Sequence, residues 1–110
     1  MKKFKDLIRG DIVYYLDKTT DGIPKIEKGP IRAIAIGNDV CHICVGGDKN
    51  TACREFKALK NVSYMGYMYS SVSTSLYELK DDLIKELLHR KEHHDRMSER
   101  YKQALDELNW

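Results

Sequence analysis

The sequence predicts an α+β fold, with a small antiparallel β-barrel over residues 1–74 and a long carboxy-terminal α-helix over residues 75–110. The barrel is indicated by short runs of β-branched and aromatic residues that are separated by glycine-containing turns. The helix is indicated by a stretch without glycine or proline in which leucine recurs at helical spacing.

The predicted strands follow from where these apolar runs begin and end. Residues 37–39 read Gly-Asn-Asp, a tight-turn sequence, so the runs on either side are expected to pair antiparallel. Residues 17–29 are expected to form a loop because glycine and proline interrupt them. The predicted strands are residues 12–16, 31–36, 40–45, 51–57 and a short fifth strand near residues 67–71. The predicted core comprises Ile12, Val13 or Tyr14, Ile34, Ile36, Ile43, Val45, Phe56, Leu79, Leu83 and Leu87.

The start of the helix is predicted at Ser75, since Ser75 and Glu78 have the spacing of a capping box. Residues 76–88 are apolar over a wide arc and are expected to dock on the barrel. An unbroken helix over residues 75–110 would be roughly 50 Å long, whereas a compact body of this size is only about 30 Å across. The helix is therefore expected to overhang the barrel.

The end of the helix is apolar again after residues 89–100, which are almost all charged with Met97 the exception. Residues 90–96 within this stretch are expected to form a solvated face. An isolated helical end is only marginally stable, and a terminal tryptophan leaves a large apolar surface in water. We expect a second copy or a different protein to cover residues 97–110. The alternatives are a frayed tail, or contact with the chain's own barrel if the helix breaks near residues 95–98. The predicted interface comprises Met97, Tyr101, Ala104, Leu105, Leu108 and Trp110.

The opening segment resembles a known class of small barrels. Residues 6–14, Asp-Leu-Ile-Arg-Gly-Asp-Ile-Val-Tyr, are similar to the first strand of SH3-like (KOW-like) barrel proteins of bacteria and phages. The resemblance extends over residues 1–88 and implies a barrel that serves as an adaptor for peptides, proteins or nucleic acids.

Charge and cysteine content exclude several classes of protein. The formal net charge is only +2; residues 1–74 carry 12 basic and 8 acidic side chains, and residues 75–110 carry 7 and 9. Neither part is basic enough to require nucleic acid. No apolar run is long enough to span a membrane, and the basic amino terminus lacks the apolar core of a signal peptide. Three cysteines are a poor disulfide framework, so we expect reduced thiols in a cytoplasm, which is the host's if a phage encodes the chain.

The cysteines are the strongest candidates for a metal site. Cys41 and Cys44, with Cys53 further along, could supply three thiolates, but an odd offset within one strand points Cys41 and Cys44 to opposite faces. No second Cys-x-x-Cys completes a set of four ligands. We therefore predict neither a metal nor a cofactor.

Nucleic-acid binding is the second functional prediction. Arg54, Lys57 and Lys60 form a basic group, and Tyr64 and Tyr67 could provide stacking faces beside it. No nucleophile motif, phosphate-binding loop or dinucleotide-binding turn is present. The leading prediction is a non-enzymatic protein-interaction module that self-associates through its carboxy-terminal helix.

Overall fold

The computed structural model describes residues 2–19, 22–46, 53–93 and 98–108. Within these ranges the chain forms six strands and two α-helices, and one 3-10 turn at Phe4–Asp6 precedes them. The strands are β1 (Ile12–Asp17), β2 (Ile26–Ile36), β3 (Val40–Val45), β4 (Arg54–Leu59), β5 (Tyr64–Gly66) and β6 (Ser70–Ser73). The helices are α1 (Leu76–His93) and α2 (Ser98–Leu108).

The six strands form one antiparallel sheet that curls into a nearly closed barrel, in the order β4-β3-β2-β1-β6-β5. The amino-terminal segment lies against the connection between the two edge strands. The Phe4 amide donates to the Val62 carbonyl at 2.9 Å, the Lys5 amide donates to the Lys60 carbonyl at 3.0 Å, and the Phe4 side chain is fully buried. The predicted α+β barrel is therefore confirmed.

Three strand predictions need correction. The strand predicted over residues 51–57 is β4, which begins at Arg54 and ends at Leu59. β2 begins at Ile26, because its first half pairs with β1 and its second half pairs with β3 after a bulge between Ile31 and Ala33. The single fifth strand predicted near residues 67–71 is wrong. β5 and β6 form a hairpin there, and the Tyr67 amide donates to the Ser70 carbonyl at 2.7 Å across its turn.

β1 is buried on both faces. Val13 and Tyr15 pack in the barrel interior, whereas Tyr14 and Leu16 pack against the helices. Successive side chains of a strand point to opposite faces, so a strand covered on both sides is apolar at every position. This explains the unbroken apolar run at residues 12–16.

Most of the predicted core is buried, but two members are not. Ile12 is 47% exposed and Ile36 is 53% exposed, because Ile12 begins β1 and Ile36 ends β2, where the barrel opens to solvent. Ile34 is half-buried. The buried members of the prediction are Val13, Ile43, Val45, Phe56, Leu79, Leu83 and Leu87.

α1 packs on the outer face of the barrel over two small side chains of β6. Ser71 and Ser73 are fully buried there, and their size lets the helix approach the sheet closely. The predicted capping box is not formed. The Ser75 amide donates to the Ser73 hydroxyl at 3.0 Å, and the Glu78 carboxylate accepts a hydrogen bond from Ser63 at 2.8 Å.

The prediction of one unbroken overhanging helix is wrong, because α2 folds back along α1. Leu87 of α1 and Tyr101 of α2 belong to one buried cluster, although 14 residues of straight helix would separate them by roughly 21 Å. Folding back buries the apolar face of α2, and each large side chain so buried contributes about 1.5–3 kcal/mol. An isolated helical extension of this length would be marginal.

Candidate functional site

The residues predicted as a partner interface are covered by their own chain. Tyr101 is only 3% exposed, and Ala104, Leu105 and Leu108 pack on a buried cluster formed by Leu16 of β1 and three leucines of α1. Met97 and Trp110 lie outside the described residues. The described part of α2 therefore makes the contact within the chain that was the alternative to a partner, and an interface at Tyr101, Ala104, Leu105 and Leu108 stays a prediction.

Arg90 links α1 to the segment that follows β1. Its guanidinium donates to the Glu86 carboxylate, the Gly22 carbonyl and the Lys18 carbonyl, each at 2.9 Å. Burial acts to lower the pKa of Arg90, but its hydrogen bonds to Glu86 and Tyr101 raise that pKa on balance. Arg90 is therefore charged and buried, whereas the sequence predicted it to lie on a solvated face.

Asp82 joins α1 to the sheet through a second polar cluster. Its carboxylate accepts hydrogen bonds from the hydroxyls of Tyr64 and Ser71, and the Lys18 ammonium lies 3.7 Å away. Burial alone would raise the pKa of Asp82, but these hydroxyls and Lys18 lower it on balance. Burial and the bond to Asp82 raise the pKa of Tyr64 to about 12. Tyr64 is therefore held between barrel and helix and presents no free stacking face.

The other predicted nucleic-acid contacts do not share one surface. The Arg54 guanidinium lies 5.6 Å from the centre of the Tyr15 ring and 2.8 Å from the Asp17 carboxylate. Lys57 points away from the barrel interior, opposite His42, and Lys60 lies in the connection after β4. Tyr67 packs against the barrel core.

Asp17 offsets the charge of Arg54. Hydrogen bonds from Thr19 and from Arg54 lower the pKa of Asp17 to about 2. A neutralised guanidinium contributes little to a phosphate-binding field. The basic group at Arg54, Lys57 and Lys60 is therefore divided in space and weakened in charge.

The three cysteines are distributed over two sides of the barrel wall. Cys41 is buried in the interior, Cys44 is half-buried on the outside, and Cys53 is exposed. Among the described residues, no three side chains of the metal-binding types lie close enough to hold an ion.

Four exposed apolar side chains lie at the end of the barrel where β1 begins, and we call them the amino-terminal patch. They are Ile8, Ile12, Leu76 and Tyr77, which are 64%, 47%, 37% and 77% exposed. They come from three chain segments: the turn before β1, the first residue of β1 and the first turn of α1.

A hollow of 250 Å³ lies at the same end, lined by Lys2, Leu7, Asp11, Ile12 and Thr74. The Asp11 carboxylate accepts a hydrogen bond from the Ile8 amide at 3.0 Å and another from the Lys2 ammonium at 2.9 Å. The Thr74 hydroxyl donates to the Lys2 carbonyl at 2.7 Å. These bonds hold the amino-terminal segment against the start of α1.

The strand register places the segments of the patch at one end of the barrel. Tyr14 of β1 lies opposite Ser73 of β6, and Ile12 and Thr74 line the same hollow, so the start of β1 lies near the start of α1. Sequence reasoning missed this surface, because Ile12 was expected in the core and Leu76 in the docking stripe of the helix. Ile8 and Tyr77 carry no signal in the sequence that would distinguish them.

Comparison with known proteins supplies no relative: no family model, curated protein or solved structure matches the chain. Of the helices in the described ranges, none combines the length and apolar character needed to cross a bilayer.

Proposed function

We propose that this chain is a non-enzymatic protein-interaction module that self-associates by pairing its amino-terminal patch with that of a second copy. The observation that supports the proposal is the gathering of Ile8, Ile12, Leu76 and Tyr77 at one end of the barrel. Self-association then involves the carboxy-terminal region only through the first turn of α1, because the apolar face of α2 packs on α1 and β1 of its own chain.

The patch differs from ordinary surface exposure. Single apolar side chains are common on protein surfaces and need no explanation. Four large ones from three segments at one end of the barrel, of which Ile12 also lines the hollow there, form the kind of surface that marks an interaction site. Removing such side chains from water in a complex contributes roughly 25 cal/mol per Å² of apolar area.

The charges around the patch have both signs. The neighbouring segments carry exposed cations at Lys2, Lys3, Lys5 and Arg9, of which Lys2 is paired with Asp11, and exposed anions at Asp6 and Asp81. In a two-fold contact the same surface meets itself, so cations of one copy can face anions of the other. A phosphate backbone would instead require a field of one sign.

The similarity of residues 6–14 to SH3-like barrels is compatible with this role. We extend to this chain, as part of the proposal, the adaptor function that such barrels serve. A cytoplasmic setting with reduced thiols belongs to the same proposal.

The test is molar mass by size-exclusion chromatography with light scattering, loaded from about 10 µM to about 1 mM, a range in which weak contacts associate. The intact chain is expected to rise from 12.8 kDa towards twice that mass. A variant carrying Ile8→Ser and Tyr77→Ser is expected to remain at the single-chain mass. Both substituted side chains are exposed, so the variant should retain the circular dichroism of the intact chain.

The matched control is a variant carrying Met68→Ser and Tyr69→Ser. These side chains are 80% and 66% exposed, but they lie at the far end of β1, where the Lys18 amide donates to the Tyr69 carbonyl at 2.9 Å. The control should associate like the intact chain. An intact chain that stays monomeric over the whole range, or a control that loses association equally, overturns the proposal.

A further inference from the structure

Cys44 and Cys53 lie side by side on the outside of the barrel. Cys44 is directly opposite Glu55 in the β3–β4 pair, and Cys53 precedes Glu55 by two residues. Side chains two apart along an extended chain point to the same side. The Cys53 thiol is the largest cause that raises the pKa of Cys44, and the Cys44 Sγ donates to Glu55 Oε1 at 3.8 Å.

The helices do not cover this part of the barrel. α1 lies against β1, β2 and β6, and α2 lies against α1. Cys53 is exposed and Cys44 is half-buried, whereas Cys41 of the same strand is buried in the core. A small oxidant can therefore reach Cys53 directly, and the neighbouring thiol is Cys44.

The start of β4 leaves Cys53 able to adjust. The β3–β4 pairing ends at Val45 opposite Arg54, so Cys53 is the first residue beyond it and lies outside the strand. A disulfide requires the two Cα atoms to lie within roughly 4.4–6.8 Å. A residue that the sheet does not hold can meet this requirement more easily than one within a strand.

We propose that Cys44 and Cys53 form a reversible intramolecular disulfide on exposure to a peroxide, so that the outer face of the β3–β4 hairpin is a redox modification site. In the first step the Cys53 sulfur attacks one peroxide oxygen, the O–O bond breaks, and a sulfenic acid and one water form. In the second step the Cys44 sulfur attacks the Cys53 sulfur, the S–O bond breaks, and a second water leaves with the Cys44 proton. The two sulfurs are oxidised by one electron each, and the peroxide is reduced to two waters.

The disulfide would tie β3 to the beginning of β4. It closes a ring from residue 44 to residue 53 and restricts the unfolded chain, which stabilises the folded state. We expect oxidation to raise the midpoint temperature of unfolding by roughly 5–10 °C. Reduction with dithiothreitol should restore the original midpoint.

The experiment treats the full chain with hydrogen peroxide and maps the product by mass spectrometry after tryptic digestion without reductant. Cleavage after Arg32, Lys49 and Arg54 releases residues 33–49 and residues 50–54 as separate peptides. A Cys44–Cys53 disulfide should hold them together, and fragmentation should place the link on Cys44. The linked peptide should disappear after Cys44→Ser or Cys53→Ser and should persist after Cys41→Ala.

The disulfide map of the unsubstituted chain tests the proposal even if a variant folds poorly. A link at Cys41, a disulfide between two chains through Cys53, or a Cys53 sulfinic acid without any linked peptide would each overturn it. An oxidised, linked protein with an unchanged unfolding midpoint would overturn the stabilising role.

Discussion

The guanidinium of Arg90 donates to the carbonyl oxygen of Lys18 at 2.9 Å, across 72 residues of sequence. The same group donates to the Gly22 carbonyl and to Glu86, so one buried side chain joins α1 to the segment that follows β1. Tyr101 of α2 also acts to raise the pKa of Arg90, so α2 contributes to this junction. Arg90 thus stands where barrel, first helix and second helix meet.

Replacing Arg90 by lysine is expected to destabilise the protein by about 1–3 kcal/mol. Lysine retains the positive charge but cannot direct donors to two backbone carbonyls and a carboxylate at once. The measurement is urea unfolding followed by circular dichroism. The control is Lys91→Ala on the neighbouring exposed position, which should change stability by less than about 0.5 kcal/mol. Equal stabilities of the two variants would show that the junction at Arg90 contributes little.

The barrel could be predicted from the sequence because its pattern is local. Runs of β-branched residues separated by turn residues identify β1 and β3, and the Gly-Asn-Asp turn identifies the antiparallel pairing of β2 with β3. The β5–β6 hairpin escaped prediction because its strands are very short, at three and four residues. Strands of that length carry no periodicity.

The packing of α2 back against α1 could not be predicted in the same way. Residues 75–110 contain no glycine or proline that would mark a turn, so local propensity favours one long helix. The decisive contribution is tertiary: Tyr101 and the apolar face of α2 cover leucines that α1 would otherwise expose. The amino-terminal patch escaped prediction for a related reason, since it depends on which ends of β1 and α1 meet.

Replacing Asp82 by asparagine is expected to reduce stability by about 1–3 kcal/mol. The charged acceptor of Tyr64 and Ser71 is lost, and the Lys18 ammonium loses its counter-ion in a partly buried position. Asp81→Asn is the matched control, since Asp81 is adjacent, exposed and identical in chemistry. Thermal unfolding at neutral pH measures both variants, and a loss as large in Asp81→Asn would contradict the role given to this cluster.

Stability is expected to fall in acid because three aspartates, Asp11, Asp17 and Asp82, have folded-state pKa values below the ordinary 3.8. A lowered folded-state pKa contributes stability that is fully present above the unfolded value and is lost as the pH falls through the folded value. The unfolding midpoint should therefore change little from neutral pH down to about pH 5 and then fall steadily towards about pH 2. Asp82→Asn should show a smaller fall than the intact chain, and an identical fall would contradict the assignment to Asp82.

Replacing Tyr101 by alanine is expected to cost about 3–5 kcal/mol, the usual effect of removing a buried aromatic ring. Because Tyr101 holds α2 against α1, the helical signal in circular dichroism should fall at temperatures where the barrel is still folded. Lys102→Ala, at the next and exposed position, should leave both quantities nearly unchanged. Loss of α2 and barrel in one transition would show that the two unfold as a single unit.

Replacing Glu55 by glutamine is expected to make the Cys44 thiol more reactive. The hydrogen bond with Cys53 and burial raise the pKa of Cys44, and the negative charge of Glu55 raises it further. Removing that charge favours the thiolate, so the pH midpoint for alkylation of Cys44 by iodoacetamide should fall. Site-resolved mass spectrometry of labelling between about pH 7 and pH 10 measures this midpoint, since cysteine ordinarily titrates near 8.5.

Lys57→Gln on the same strand is the control and should not lower the midpoint, because Lys57 lies opposite His42 rather than Cys44. A midpoint that stays fixed or rises in Glu55→Gln would contradict the electrostatic effect of Glu55 on the Cys44 thiol.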